Sequence, residues 1–396
     1  MKIRSVEIFM LDGGRPGWRP VVCRVNTDEG LSGYGEASLG FDNGAAGAVG
    51  MLREIAPMVI GRDPMAHEAL WDHMFSDSFW GQGGGVAVLS AVSAIDTALW
   101  DIKGKALGLP LCRLLGGPCR PRLRAYASQL QFGWGTEGMV FDRGFRREDL
   151  AEHAARAVGE GFDAVKINFI TYDETGNRLG FLRGPIPLRI QRMVEARIAA
   201  VREAVGADVD ILLENHGRTD AVSAAQLARI AAPYGIAFME EPNTPMLLQT
   251  AEMIHRECAI PIAGGERMYG RWNFLNFFQK NALQVAQPDI GIAGGITEVK
   301  KICDMAHAFD VTVQAHCCGS PIIIAAALHL EAAIPNFAIH EHHVTNRSEA
   351  NISLGKYDYQ PVDGFCAVPE LPGLGQELSE KGERTAHVHV TVDRPC

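Results

Sequence analysis

The chain of 396 residues is 47% apolar and 21% charged, and its formal charge is −10 at pH 7. Those proportions suit a globular protein with ample material for a large core, divided into two or three units or into a barrel of about 250 residues and a smaller partner. The acidic balance excludes a nucleic-acid footprint, no apolar run is long enough to span a bilayer, and Met1-Lys2-Ile3-Arg4 leads into an alternating strand pattern, not a signal peptide.

The first elements alternate. Residues 2–10 and 21–26 read as strands, Thr27-Asp28-Glu29-Gly30 as a hairpin turn, and 31–39 as a third strand. Helical patterns follow over about 44–59, 64–75 and 86–107, the last stopped by Gly108 and Pro110. This is an α+β unit, assigned to residues 1–122.

After Pro121 short apolar runs alternate with helical stretches. The runs are 123–128, 164–168, 210–215, 237–240, 261–264, 283–287, 311–314 and 337–340, with helices between most of them. Eight βα units close naturally into a (β/α)8 barrel of the TIM type, assigned to residues 123–356. An open doubly wound sheet is the alternative, but no Gly-rich dinucleotide fingerprint follows the first strand. The Pro- and Gly-rich tail, residues 357–396, ends in an alternating stretch over 387–392 that is expected to return to the first unit. The fold class is therefore α/β, a barrel with an α+β capping unit completed by the tail.

Nine cysteines (23, 112, 119, 258, 303, 317, 318, 366 and 396) are scattered and lack C-x-x-C spacing, which suits a reduced, cytoplasmic protein.

Chemistry in such a barrel sits at the C-terminal ends of the strands. Glu214, Glu240 and Glu266 end three consecutive strands at equal intervals of 26 residues. Carboxylates converging on one rim repel unless a cation neutralises them, and an all-oxygen set favours a hard divalent ion, Mg2+. The next two strands end in Asp289 and His316. A carboxylate bonded to an imidazole fixes its tautomer and stabilises it after it takes a proton.

At these spacings Glu214, Glu240, Glu266, Asp289 and His316 resemble the mandelate-racemase subgroup of the enolase superfamily. The runs Asp96-Thr97-Ala98-Leu99-Trp100-Asp101-Ile102-Lys103-Gly104-Lys105, Gly33-Tyr34-Gly35-Glu36-Ala37, Ala263-Gly264-Gly265-Glu266-Arg267 and Ala293-Gly294-Gly295-Ile296-Thr297-Glu298 carry the same likeness across nearly the whole chain. Within the subgroup, Glu214-Asn215-His216-Gly217-Arg218 looks like galactonate-type acid-sugar dehydratases. Residues i and i+2 of a strand share a face, so His216 is expected beside Glu214.

The resemblance implies an aldonate dehydratase. Mg2+ on Glu214, Glu240 and Glu266 binds the substrate carboxylate, and His316, oriented by Asp289, removes the C2 proton. Glu341 hydrogen-bonds the enediolate, and His216 protonates the departing C3 hydroxyl to give a 2-keto-3-deoxy acid. Trp18, Phe41 and Asp42 fall in loops that cap the barrel in this family and are candidates for substrate contact, with Asn168 and Arg267 at strand ends. A small-molecule sugar acid as ligand and a homo-oligomeric state are implied as well.

Two departures stand out. Glu214 replaces the usual Asp. Lys166-Ile167-Asn168 replaces Lys-x-Lys, which removes a base from one face and argues against racemisation. Lys166 remains to help neutralise the substrate carboxylate. The long polar segment 170–187 is a lid candidate. The competing enzymatic reading is a cycloisomerase of an anhydro-sugar acid or a lactone. A barrel hydrolase would want a His-x-His on the first barrel strand, which Ala125-Tyr126-Ala127-Ser128 lacks, and a non-catalytic relative would have lost ligands that this chain keeps.

Overall fold

The computed structural model describes residues 1–141, 144–257 and 259–395. Three strands come first: β1 (Ile3–Met10), β2 (Val21–Thr27) and β3 (Ser32–Ala37). They form an antiparallel sheet against which α1 (Ala45–Ile55), α2 (His67–Ser76) and α3 (Val86–Leu107) pack. The long α3 is buried along most of its length and stops where Gly108 turns left-handed at φ 67°. It lies against β3 because Gly35 has no side chain there; a Cβ would strike the carbonyl of Ala94.

The barrel strands are β4 (Arg122–Ser128), β5 (Ala164–Ile167), β6 (Asp210–Glu214), β7 (Ile236–Glu240), β8 (Ile262–Gly264), β9 (Val285–Ala286), β10 (Thr312–Val313) and β11 (His340–His343). They pair in parallel in the order β10-β9-β8-β7-β6-β5-β4-β11. A bridge between Val313 and Phe337 closes the ring, with Val313 N donating to Asn336 O at 2.8 Å and Ala338 N to Val313 O at 2.7 Å. A helix follows each strand, as the alternation of patterns leads one to expect. A layer of Tyr126, Leu212, Phe238, Val285 and Ile339 fills the interior.

Two parts of the sequence-based layout gain detail in the structure. The last barrel strand runs over His340–His343 rather than 337–340. Its ladder with β4 begins at His340 opposite Ala125, and its four residues are polar yet buried, which hides a strand from an apolar scan. Segment 170–187 is tied down. Leu182 N donates to Arg218 O, and the buried Arg197 guanidinium donates to the carbonyls of Phe169, Tyr172 and Asp173.

The tail adds β12 (Phe365–Ala367), antiparallel to β4, and β13 (Val388–Val392), antiparallel to β1. Buried Asp101 joins three parts of the chain by accepting from Tyr34 N, Leu374 N and Lys105 Nζ. The first sheet and its helices dock on the barrel through Asp96, which accepts from Thr297 N and Oγ1, and through Glu36, which accepts from Ser320 N and Oγ. Among the described residues every cysteine is unbridged, and Cys258 and Cys396 lie outside them. No described helix is long and apolar enough to cross a membrane.

Candidate active site

The register of β6 on β7 sets Glu214 directly opposite Glu240. Glu266 follows Gly265, whose φ of 146° turns the chain where β8 ends; a Cβ there would strike the backbone of Gln287. The three carboxylates thus surround one cavity at the strand ends. Glu214, His216 and Glu266 each offer a ligand atom within 4.8 Å of the others. Glu240 backs this group but is already engaged: Lys166 Nζ donates to both its oxygens at 2.7 Å and Gln287 Nε2 to one at 2.6 Å.

Lys166 is wholly buried. Besides Glu240 it lies 2.9 Å from Glu341 and 3.4 Å from Glu214. Burial opposes its charge, but these carboxylates outweigh burial and hold its pKa well above the ordinary lysine value. It is a permanent cation in the cavity floor, committed to protein carboxylates. Glu341 accepts from Lys166, from Ser128 Oγ at 2.6 Å and from Cys317 N at 3.0 Å. Burial would raise its pKa, yet Lys166 and His316 hold it well below the usual range, so Glu341 is ionised in the resting cavity.

His316 and Asp289 meet as expected, with Nδ1 2.7 Å from Oδ2. The other Asp289 oxygen accepts from Gly291 N at 2.7 Å, so the carboxylate is fixed as an acceptor and Nδ1 carries the proton. That leaves Nε2 facing the cavity, 3.4 Å from Glu266. Burial works against a charged ring, but Glu266, the Asp289 bond and Glu341 together push its pKa up to about 10.

His216 reaches the site by a route other than strand alternation. β6 ends at Glu214, and His216 is left-handed at φ 50°. Its amide donates to Glu214 Oε1 at 2.7 Å and its Nε2 lies 3.7 Å from Glu214 Oε2. Asn168 Nδ2 approaches its Nδ1 at 3.1 Å and Gln129 Nε2 its Nε2 at 3.4 Å. Burial, with Arg267 and Lys166 against Glu266, lowers the His216 pKa to about 4.

The remaining candidates are placed as follows. Arg267 is turned onto Glu241 and onto Glu266, the latter at 2.5 Å. Glu241, buried and left-handed at φ 43°, was not singled out in the sequence although it adjoins Glu240. Trp18 is 2% exposed and acts as a pin: its Nε1 donates to Asn351 Oδ1 at 3.2 Å, and Asn351 Nδ2 donates to Gly319 O at 2.9 Å, three residues beyond His316. Phe41 is half-exposed and pairs with Trp18 in a single bridge; Asp42 is exposed and left-handed. Gln129, with Nε2 3.4 Å from both Glu214 and His216, is a further cavity residue signalled in the sequence by nothing more than its place after the first barrel strand.

The donor set fits a divalent cation. Burial holds the pKa values of Glu214, Glu240 and Glu266 above the ordinary carboxylate range, because Lys166 supplies one positive charge against several acids. The same excess overcharges His316. A dication held by Glu214 and Glu266 beside Glu240 would offset both effects and leave His316 Nε2 able to accept a proton.

Comparison with known proteins agrees with this arrangement. Residues 15–116 match the mandelate racemase / muconate lactonizing enzyme N-terminal domain, and residues 149–382 match the enolase C-terminal domain-like family. The D-galactonate dehydratase of Variovorax paradoxus is 34% identical over 98% of this chain and 94% of its own length. That of Ralstonia nicotianae is 34% identical over 96% and 93%. A solved member of the enolase superfamily from Salmonella Typhimurium superposes with a TM-score of 0.94 at 48% identity, covering 99% of both chains. The 3,6-anhydro-D-galactonate cycloisomerase of Zobellia galactanivorans does so with a TM-score of 0.82 at 29% identity, covering 98% of this chain and 100% of the other.

Proposed function

The chain belongs to the enolase superfamily, with both domains of its mandelate racemase / muconate lactonizing enzyme branch, and is a dehydratase of that superfamily; on this premise we propose that it removes water from C2 and C3 of a sugar acid. The observation that carries the reading is the pair of imidazoles on one acidic cavity: His316, bonded to Asp289, with Nε2 toward Glu266, and His216 with Nε2 toward Glu214. The curated relatives act on D-galactonate, so an aldonate is the reference substrate.

His316 Nε2 accepts the C2 proton as that C–H bond breaks, and Asp289 stabilises the resulting imidazolium. His216, protonated from solvent as the anionic substrate binds, delivers that proton to the C3 oxygen. The C3–O bond then breaks, water departs, and the enol tautomerises to a 2-keto-3-deoxy acid. When bound by Glu214 and Glu266 beside Glu240, Mg2+ would offset the charge that builds on the substrate carboxylate. Lys166 holds Glu240 and Glu341 in place through its ion pairs. Asn168 holds His216 Nδ1 where a second base would otherwise stand, which supports elimination over racemisation.

Incubation with sugar acids and Mg2+ should yield a keto acid that reacts with semicarbazide. A product of unchanged mass from an anhydro-sugar acid or a lactone, in place of one lighter than its substrate by a water, would favour the cycloisomerase reading, to which the Zobellia structure lends support. Absence of any product across a broad acid-sugar panel would refute both.

A further inference from the structure

Arg15 lies in the loop between β1 and β2, the segment that Trp18 pins to the barrel. Its guanidinium carbon is 5.5 Å from the ring centre of Phe41, 5.8 Å from that of Phe141 and 6.0 Å from that of Trp18. One Nη meets Met139 Sδ at 3.0 Å, and Nε is closed off from solvent with no hydrogen-bond partner. Among the described residues no carboxylate lies within ion-pair distance of Arg15. Three other arginines drawn into the fold are matched to carboxylates, Arg24 to Glu7 and Glu383, Arg271 to Glu298 and Arg347 to Glu160, while the buried Arg197 is satisfied by carbonyls. A second guanidinium, that of Arg178, lies 5.6 Å from the same Phe141 ring, also with no carboxylate at ion-pair distance among the described residues. Two like charges over one ring, with no anion between them among the described residues, form an arrangement that an arriving anion relaxes.

The position is next to the chemistry. Gly14 abuts Ala350, beside the Asn351 that links Trp18 to Gly319. The charge of Arg15 is felt at Cys318 and His343, each two residues beyond a cavity residue, His316 and Glu341. Aromatic faces strip water from one side of the guanidinium and leave its planar fork suited to a carboxylate or a phosphate.

We propose that Arg15, assisted by Arg178, forms a distal anion subsite, and that the acid sugar used here carries a second negative group, a carboxylate or a phosphate, at the end away from the reacting carboxylate. This deepens the dehydratase reading and rests on it for the reaction, but not for binding.

Isothermal titration of the full chain in Mg2+ tests it with matched ligands: a hexonate, its hexarate and its 6-phosphohexonate, in the gluco, galacto and manno configurations. In at least one configuration a doubly charged ligand should bind about tenfold or more tightly than the hexonate. Arg15→Gln should shrink that ratio about tenfold, Arg15→Lys should restore part of it, and Arg178→Gln should shrink it less. Hexarate ahead of phosphohexonate, or the reverse, identifies the terminal group. Hexonates bound as tightly as their charged counterparts throughout, or a ratio that survives Arg15→Gln, overturns the subsite, and the wild-type ratio is decisive even if a variant misfolds. The same ligands are assayed for keto-acid product. Charge-selective binding with no product from any of them overturns dehydration and leaves the subsite standing. Product from hexonates with no charge preference does the opposite.

Discussion

Lys166 and Glu240 form a doubly bonded ion pair, the ammonium 2.7 Å from each carboxylate oxygen and out of reach of solvent. Glu341 and Glu214 share the same cation. Lys166→Met should therefore leave buried acids uncompensated and lower stability in chelator by about 3–5 kcal/mol. Added Mg2+ should recover more stability for the variant than for the wild type. Thermal unfolding with chelator and with Mg2+ checks this; a variant that melts with the wild type in chelator would show that the acids do not depend on the ammonium.

Chelation should abolish dehydration, and Mg2+ should restore it. Glu214→Gln and Glu266→Gln, which alter two of the three groups within 4.8 Å of one another, should each weaken Mg2+ binding by about tenfold or more in a metal titration. Full turnover in metal-free buffer would rule out the cation.

The two histidines should separate in solvent exchange. His316→Asn should lose both dehydration and exchange of the C2 hydrogen with deuterated solvent. His216→Asn should lose dehydration and keep C2 exchange, since loss of the C2 proton precedes departure of the hydroxyl. Each group is worth about 10²–10⁴-fold in rate, well within reach of NMR. Exchange at the wild-type rate in His316→Asn would assign the base elsewhere.

Away from the site, His67 stacks on Trp100 at 4.4 Å, and neither ring nitrogen has a hydrogen-bond partner among the described residues. Burial, aided by Lys103, lowers its pKa from 6.5 to about 3. Between those values the unfolded chain binds a proton that the folded chain does not, so stability falls as pH falls from 6.5 toward 3. The loss reaches about 2 kcal/mol at pH 5. His67→Phe keeps the stack and should unfold with a flatter pH dependence over that window. Parallel profiles for the two proteins would mean that His67 titrates freely.

Much of the site was legible because barrel strands of similar length translate sequence spacing into position. Glu214 and Glu240 end five-residue strands and pair face to face, and Asp289 meets His316 one strand further on. His216 was placed rightly for an inapplicable reason, since a left-handed backbone rather than strand alternation returns it to Glu214. Arg267 stands at a strand end as a candidate for substrate contact, and its pairing with Glu241 depends on a turn that no periodicity encodes. Arg15 was invisible because its setting is made by three aromatic rings, Trp18, Phe41 and Phe141, brought together from loops distant in sequence.

The pairing of β13 with β1 joins Glu7 to Thr391, residues separated by almost the entire chain. Closing so large a loop is entropically slow, and contacts of that range form late in folding. Until they form, β1 is an open edge whose unpaired amides and carbonyls can template another chain. Refolding at high concentration should therefore lose material to aggregation at this edge, and a peptide spanning 386–394, supplied in excess, should compete for it and raise the soluble yield.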